Sequence, residues 1–284
     1  MRLSRLLASQ GHTVYHIGRK RRGGEFPSYE WNLSKKQLDH ESIEGKDAVI
    51  HLAGAGVAES RWTSRRKKEI LESRTHSTEL LVKAISAAKN PPKIFISASA
   101  IGYYGTDTGS RLMTEQDPPA SDFLAEVCRL WEDASQALVG TDVRRVVLRI
   151  GVVLSKEGGA LPKLLQPPVA APIGSGAQYM STIHIDDLCQ MFAFAIEKPI
   201  NGVFNAVGPE PLSNADFSKE AAKAAGKIYL PIPVPGFLLK VALGEMANVV
   251  LGGSKVSCQK IVDAGFGFRF DTVASALTDL LATK

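Results

Sequence analysis

Tyr103 and Tyr104 stand side by side between Gly102 and Gly105, an arrangement that can present a phenol to a cleft. A phenol placed there can give or take a proton at a substrate oxygen. Aromatic packing in a glycine-flanked loop is the plainer reading of the same residues. Two runs of positive charge, Arg19-Lys20-Arg21-Arg22 and Arg61 with Arg65, Arg66, Lys67 and Lys68, suit either a solvated surface or a pocket for a phosphorylated small molecule. Nucleic-acid binding would want aromatics interleaved with such runs and a recognisable reading motif, and the sequence offers neither. Gly174-Ser175-Gly176 is too short to cradle a phosphate by itself. Cys128, Cys189 and Cys258 are odd in number, widely spaced and near no histidine cluster. They suggest neither a disulfide framework nor a metal site, so a reducing cytoplasm is the expected compartment.

The elements that must hold these residues alternate between helix and strand. Leu3, Leu6 and Leu7 followed by Gln10-Gly11 give an amphipathic helix with a glycine stop, and 12–17 then reads as a short strand. Residues 47–53 form a continuous apolar run ending in Gly54-Ala55-Gly56, the pattern of a parallel strand buried on both faces. A long helix over 63–89 carries an apolar face of Ile70, Leu71, Leu80, Leu81 and Ile85, and Asn90-Pro91-Pro92 stops it before a strand at 93–97. A helix over 121–138, capped by Ser121 or Asp122, leads to a strand at 145–150. Such alternation implies an α/β fold with a doubly wound parallel sheet, whose ligands sit at the carboxyl ends of the strands. The loops after Ile17, Leu52, Ser97 and Ile150 are where chemistry is expected. Beyond Gly151 the sequence is rich in glycine and proline, with helices expected over 186–197, 213–225, 236–251 and 272–281 as a smaller lobe.

With 284 residues, 44% of them hydrophobic, the chain has enough apolar surface for one large core and excludes disorder and coiled coil. The net charge of +5 is gathered in the two basic runs rather than spread. The most apolar stretch, 235–251, is broken by Lys240, Gly244, Glu245 and Asn248 and falls short of a membrane span. The first eight residues begin like a signal peptide but develop no apolar core, and read as a helix.

Several segments together resemble the extended short-chain dehydrogenase/reductases, and within them the NAD-dependent epimerase/dehydratase proteins that carry a C-terminal domain of unknown function. They are Asp47-Ala48-Val49-Ile50-His51-Leu52-Ala53-Gly54, Arg61-Trp62-Thr63, Ser73-Arg74, the stretch from Ser97 to Gly105, Trp131-Glu132, Arg149-Ile150-Gly151-Val152-Val153-Leu154 and Ile183-His184-Ile185-Asp186-Asp187-Leu188. The resemblance covers nearly the whole chain. It implies a Rossmann-like dinucleotide-binding domain over 1–158, to which 181–206 returns. A substrate lobe is expected from 159–180 and 207–284, with the C-terminal domain at about 234–282. The family's first strand and its glycine-rich turn have no counterpart in the sequence, which aligns from just after the third glycine. Roughly a dozen residues of the pattern are missing. Since that strand is central, its two neighbours are expected to show unpaired edges, and an upstream start that supplies the strand is the favoured explanation.

The same resemblance implies site residues. Gly18 and Arg19 end the strand where an acidic residue would select NAD; with none present, Arg19 can pair with a 2′-phosphate, so NADP is expected over NAD. Leu52, Ala53 and Gly54 lie where the family's backbone passes the cofactor, Glu69 and Arg74 are candidate nucleotide contacts or a structural ion pair, and Val153 would line the nicotinamide side. Ser99 fits the hydroxyl that orients a substrate oxygen, and His184 falls in a stretch the family places near substrate. Asp186 beside it reads as a helix cap. The family's Tyr-x-x-x-Lys pair is absent from the helix beginning Asp122-Phe123-Leu124-Ala125-Glu126-Val127-Cys128-Arg129, which leaves Tyr103 and Tyr104 as substitutes. The expected activity is NADP-dependent oxidoreduction or epimerase-like chemistry on a carbonyl, an alcohol or a nucleotide sugar. A catalytically silent NADP-binding sensor or scaffold is the other reading, and a nucleic-acid or membrane-surface binder the third. Expected partners are a small-molecule substrate and, as the assembly to test, a second copy in a homodimer.

Overall fold

A computed structural model describes residues 1–21 and 23–282; Arg22, in the first basic run, lies outside them. The chain opens with α1 (Arg2–Ser9), β1 (His16–Gly18), β2 (Ser28–Asn32), β3 (Gln37–Leu38) and β4 (Ala48–His51). It continues through α2 (Ser64–Ala87), β5 (Ile94–Ala100), β6 (Asp107–Met113), α3 (Phe123–Asp133), β7 (Arg144–Ile150) and β8 (Val152–Leu154). The second half holds α4 (Ala160–Leu164), β9 (Val169–Ala170), β10 (Tyr179–Met180), β11 (Thr182–His184), α5 (Ile185–Glu197), β12 (Gly202–Ala206), β13 (Leu212–Ser213) and α6 (Asn214–Ala224). It closes with β14 (Ile228–Tyr229), α7 (Gly236–Leu243), α8 (Asn248–Leu251), β15 (Gly253–Val256), α9 (Gln259–Asp263) and α10 (Val273–Leu281).

The main sheet is parallel, in the order β12-β7-β5-β4. Its central strand β5 alternates sides within one apolar run: Ile94 and Ile96 pack with Leu188, Met191 and Phe192 of α5, while Phe95 packs with Leu81, Val82 and Ile85 of α2. Two helical layers therefore cover the sheet, as a strand buried on both faces requires. Leu3 of α1 joins the α5 side, and Arg2 fastens α1 there through Nε to Asp186 Oδ1 at 2.5 Å.

β1, β2 and β3 form a separate sheet, in which β1 pairs with β2 alone among the described residues. Among the described residues β4 pairs with β5 alone, yet Ile17 of β1 and Val49 of β4 share one apolar cluster. Among the described residues the two sheets thus meet at edges that make no ladder with each other. Burial follows: β5 is buried along nearly its whole length, whereas β4 alternates between buried and half-buried.

Caps set the helix starts. Thr63 Oγ1 accepts the Arg66 amide at 3.2 Å and Asp122 Oδ1 accepts the Ala125 amide at 3.0 Å. At α5 the cap is His184, whose Nδ1 accepts the Asp186 amide at 3.0 Å; Asp186, expected as the cap, is the second residue of the first turn and pairs with Arg2 instead. The single helix expected over 236–251 is broken into α7 and α8, because Gly244 takes a φ of 63° that the helix cannot carry. The strand expected over 12–17 begins only at His16.

Candidate functional site

The loop after β5 is built around Gly105, whose φ of 97° and whose position, with a Cβ that would fall 2.8 Å from Ala120 Cβ, admit only glycine. Asp122 completes the turn: while one carboxylate oxygen caps α3, the other accepts the Thr106 amide at 2.7 Å. The turn Ile101–Tyr104 is thereby pinned to α3 and to the carboxyl end of the sheet.

Inside that turn the two tyrosines part. Tyr104 is buried; its hydroxyl donates to Asn205 Oδ1 at 2.7 Å and accepts from Arg149 Nη1 at 3.0 Å. Burial pushes its pKa up to about 12, with Arg149 and the two hydrogen bonds only partly opposing it, so the phenol stays protonated. Tyr103 is half-buried, its ring resting on the Arg149 guanidinium at 3.3 Å, and its hydroxyl makes no hydrogen bond to a described residue. Tyr103 is the free phenol of the pair.

Arg149, next to the last residue of β7 and after the apolar run Val146-Val147-Leu148, is held by Glu132 through Nε at 2.8 Å and Nη2 at 2.9 Å. Burial works against its charge, but the bonds to Glu132 outweigh it and the guanidinium remains protonated. Ser99 Oγ donates to the same Glu132 at 2.7 Å, so its proton faces the interior and not the crevice. Glu132, Arg149 and Asn205 were not singled out for a role from the sequence. Their signal was present: a glutamate beside Trp131 on the buried side of α3, and an arginine within Val146-Val147-Leu148-Arg149-Ile150, put charges where burial demands partners.

At the end of β4, Leu52 is half exposed, Ala53 half-buried and Gly54 exposed. A Cβ on Gly54 would lie 2.9 Å from Arg74 Cζ, so the guanidinium occupies the space a side chain would take. Arg74 Nη1 donates to the carbonyls of Ala55 and Ile70 at 3.0 and 2.9 Å, and no carboxylate of a described residue pairs with it. Burial lowers its pKa, which marks a positive charge short of compensation. Glu69 pairs with Arg66 at 2.8 Å instead of joining Arg74. Gly18 ends β1, and Arg19 is exposed with no ion pair to a described residue. Val153 lies on β8, beside Ile183 of β11.

His184 is buried against Phe270, with ring centres 3.9 Å apart, and its Nε2 lies 3.3 Å from Asp279 Oδ2. With Asp186 this makes a group of three metal-ligand types. It is a poor cation site, since the Asp186 amide occupies Nδ1, which leaves the ring proton on Nε2, and Arg2 already neutralises Asp186. The structure brings Ser99, Tyr103 and Tyr104 together at the end of β5. His184 stands apart from them, at the end of β11 beside Asp279 of α10.

Residues 1–207 match the profile of the NAD dependent epimerase/dehydratase family, and residues 234–280 that of a domain of unknown function, DUF1731. The chain belongs to the NAD dependent epimerase/dehydratase family. It is 34% identical over 289 residues to the epimerase family protein YfhF of Bacillus subtilis, covering 99% of this chain and 94% of that one. The human epimerase family protein SDR39U1 is 32% identical, with 99% and 95% covered. A crystal structure of human SDR39U1 with NADPH superimposes with a TM-score of 0.89 over 98% of this chain and 94% of that one, at 32% identity. A nucleoside-diphosphate sugar epimerase from Corynebacterium glutamicum gives a TM-score of 0.78 at 30% identity, over 98% of this chain and 55% of that one. The split sheet is therefore a Rossmann fold of this family. Among the described residues no helix is long and apolar enough to cross a membrane.

Proposed function

We propose that this family member binds NADP at the carboxyl ends of β1, β4 and β8 and acts on a carbonyl or alcohol. The observation that carries the reading is Arg74, an arginine with no carboxylate partner among the described residues, packed on the bare Cα of Gly54. A half-buried guanidinium left with carbonyl partners only is suited to an anion. Gly54 lets that guanidinium lie against the backbone at the exposed end of β4, and Arg19, without an ion pair to a described residue at the end of β1, suits the 2′-phosphate that distinguishes NADP from NAD. NADPH in the human relative's crystal structure supports the same choice. Such a cofactor, when bound, supplies or takes a hydride. The chain's own part would be proton transfer at the substrate oxygen by Tyr103, whose hydroxyl bonds to no described residue, with the Arg149 cation beneath the ring fixing its plane.

Fluorescence titration of the chain with NADPH and NADH tests the binding directly. Tighter binding of NADPH, weakened at least about tenfold by Arg74→Gln and made indifferent to the 2′-phosphate by Arg19→Ala, is the expected result. Failure to bind either dinucleotide overturns the reading. A second reading is favoured by Ser99 and Tyr104, both of whose hydroxyl protons are committed inside the protein. It holds that NADP binding serves a sensor or scaffold without turnover. NADPH oxidation on a panel of carbonyl compounds, abolished by Tyr103→Phe, separates the two.

A further inference from the structure

A row of polar side chains crosses the middle of the main sheet. Ser99 of β5 and Asn205 of β12 are the direct neighbours of Arg149 on β7, and all three are buried. Well-packed hydrocarbon would serve the core there at least as well, because a buried ion pair adds little net stability over apolar residues of the same volume. What the row secures is the placement of one guanidinium.

Arg149 is gripped around its rim. Glu132 accepts from Nε and Nη2, and the Tyr104 hydroxyl accepts from Nη1 at 3.0 Å. Each of these partners is held in turn. The Glu132 carboxylate also takes the Ser99 hydroxyl at 2.7 Å, and the Glu132 carbonyl takes Arg145 Nη2 at 2.7 Å. The Tyr104 hydroxyl donates to Asn205 Oδ1, and Asn205 Nδ2 donates to the Ser257 carbonyl at 3.0 Å. A planar group bonded at all three of its nitrogens is fixed in orientation as well as in place. One face of it carries the Tyr103 ring, with Cζ 3.3 Å from the ring centre, and Tyr104 stands edge-on to the same ring at 5.5 Å.

We infer that Glu132 is a positioning residue for Tyr103, acting through the plane of Arg149. The inference rests on the proton transfer proposed above for Tyr103 and names the group that sets its geometry. A phenol that transfers a proton must come within hydrogen-bond reach of the substrate oxygen, and a misplacement of about 1 Å can cost on the order of a hundredfold in rate. Ser99 belongs to this support, as the third bond on the Glu132 carboxylate.

The test reads the ring directly. Meta-fluorotyrosine replaces Tyr103 in the full chain, and its fluorine NMR signal is compared between wild type and Glu132→Gln, which keeps Arg149 but sets an amide nitrogen where a carboxylate oxygen stood. A wild-type signal displaced from that of exposed fluorotyrosine, collapsing toward it as one narrow line in the variant, is the expected result. Where a carbonyl compound is turned over, kcat should fall at least about tenfold while NADPH affinity stays unchanged. A Glu132→Leu, Arg149→Met variant, which removes both charges and leaves neither unpaired, gives the same readings if Glu132→Gln does not fold. It also separates the roles: a merely structural pair would return signal and kcat along with stability.

A fluorine signal unchanged in the folded variants overturns the inference, and so does a mobile ring with kcat intact. Tyr103→Phe with full turnover, or a wild type that does not bind NADPH, instead marks failure of the reading it rests on. The fluorine signal needs neither cofactor nor turnover, so it decides in either case whether Glu132 fixes the ring.

Discussion

The guanidinium of Arg149 touches the face of Tyr103 at 3.3 Å while its edge is gripped by both carboxylate oxygens of Glu132. Arg149 is 3% and Glu132 7% exposed, so neither charge has water to fall back on. Removing one partner of such a pair costs about 3–5 kcal/mol, because the other is left buried and unpaired. Glu132→Leu should therefore destabilise strongly in urea melts. A Glu132→Leu, Arg149→Met double variant should recover much of the loss. Equal destabilisation of the single and double variants would mean that packing, not charge, dominates this site.

The two tyrosines should answer the same substitution differently. Tyr104→Phe removes a buried hydroxyl and leaves Asn205 Oδ1 and Arg149 Nη1 each without a partner, a loss of about 1–3 kcal/mol. Tyr103→Phe removes a hydroxyl that bonds to no described residue and should leave the melt unchanged within about 0.5 kcal/mol. Thermal melts of the pair check both values.

His51 makes stability fall with acid. Burial holds its pKa down to about 4, with the Arg74 charge adding to the effect, against an ordinary value of 6.5. Its neutral ring sits over Ser77, with Nε2 and Oγ 2.8 Å apart. As pH drops below about 6.5 the unfolded chain takes up a proton that the folded chain refuses, so stability declines until about pH 4 is passed. Between about pH 7 and pH 5 the loss from this residue is roughly 2 kcal/mol. Urea melts of wild type and His51→Gln across that range should diverge by that amount, and parallel slopes would refute the assignment.

Local chemistry made the frame legible. The apolar runs of β5 and β7, the stop at Asn90-Pro91-Pro92 and the caps Thr63 and Asp122 each depend on near neighbours in the chain. What escaped depends on distant ones. Ser99 reads as a free hydroxyl until α3 brings Glu132 against it, and Tyr103 and Tyr104 are indistinguishable until β12 offers Asn205 to one of them. The helix expected across 236–251 breaks where Gly244 takes a φ of 63°, and the end of its first piece is capped by Arg61 from the distant loop after β4.

The meeting of β1 and β4 supplies the last expectation. β5 and β7 are hydrogen-bonded along both edges, whereas among the described residues β1 and β4 are bonded along one. Helices and the shared cluster of Ile17 and Val49 cover the faces of this junction but supply no backbone partners for its edges. Amides there must open to water, or pair with another strand, to satisfy their hydrogen bonds. Hydrogen exchange in residues 16–18 and 48–51 should accordingly run at least about tenfold faster than in 94–100 and 144–150, although all four segments belong to one layer of the fold. A strand added to the junction, in register with both neighbours, would erase that difference. If β4 is as protected as β5 in the chain alone, its free edge is already paired, and the two sheets are one.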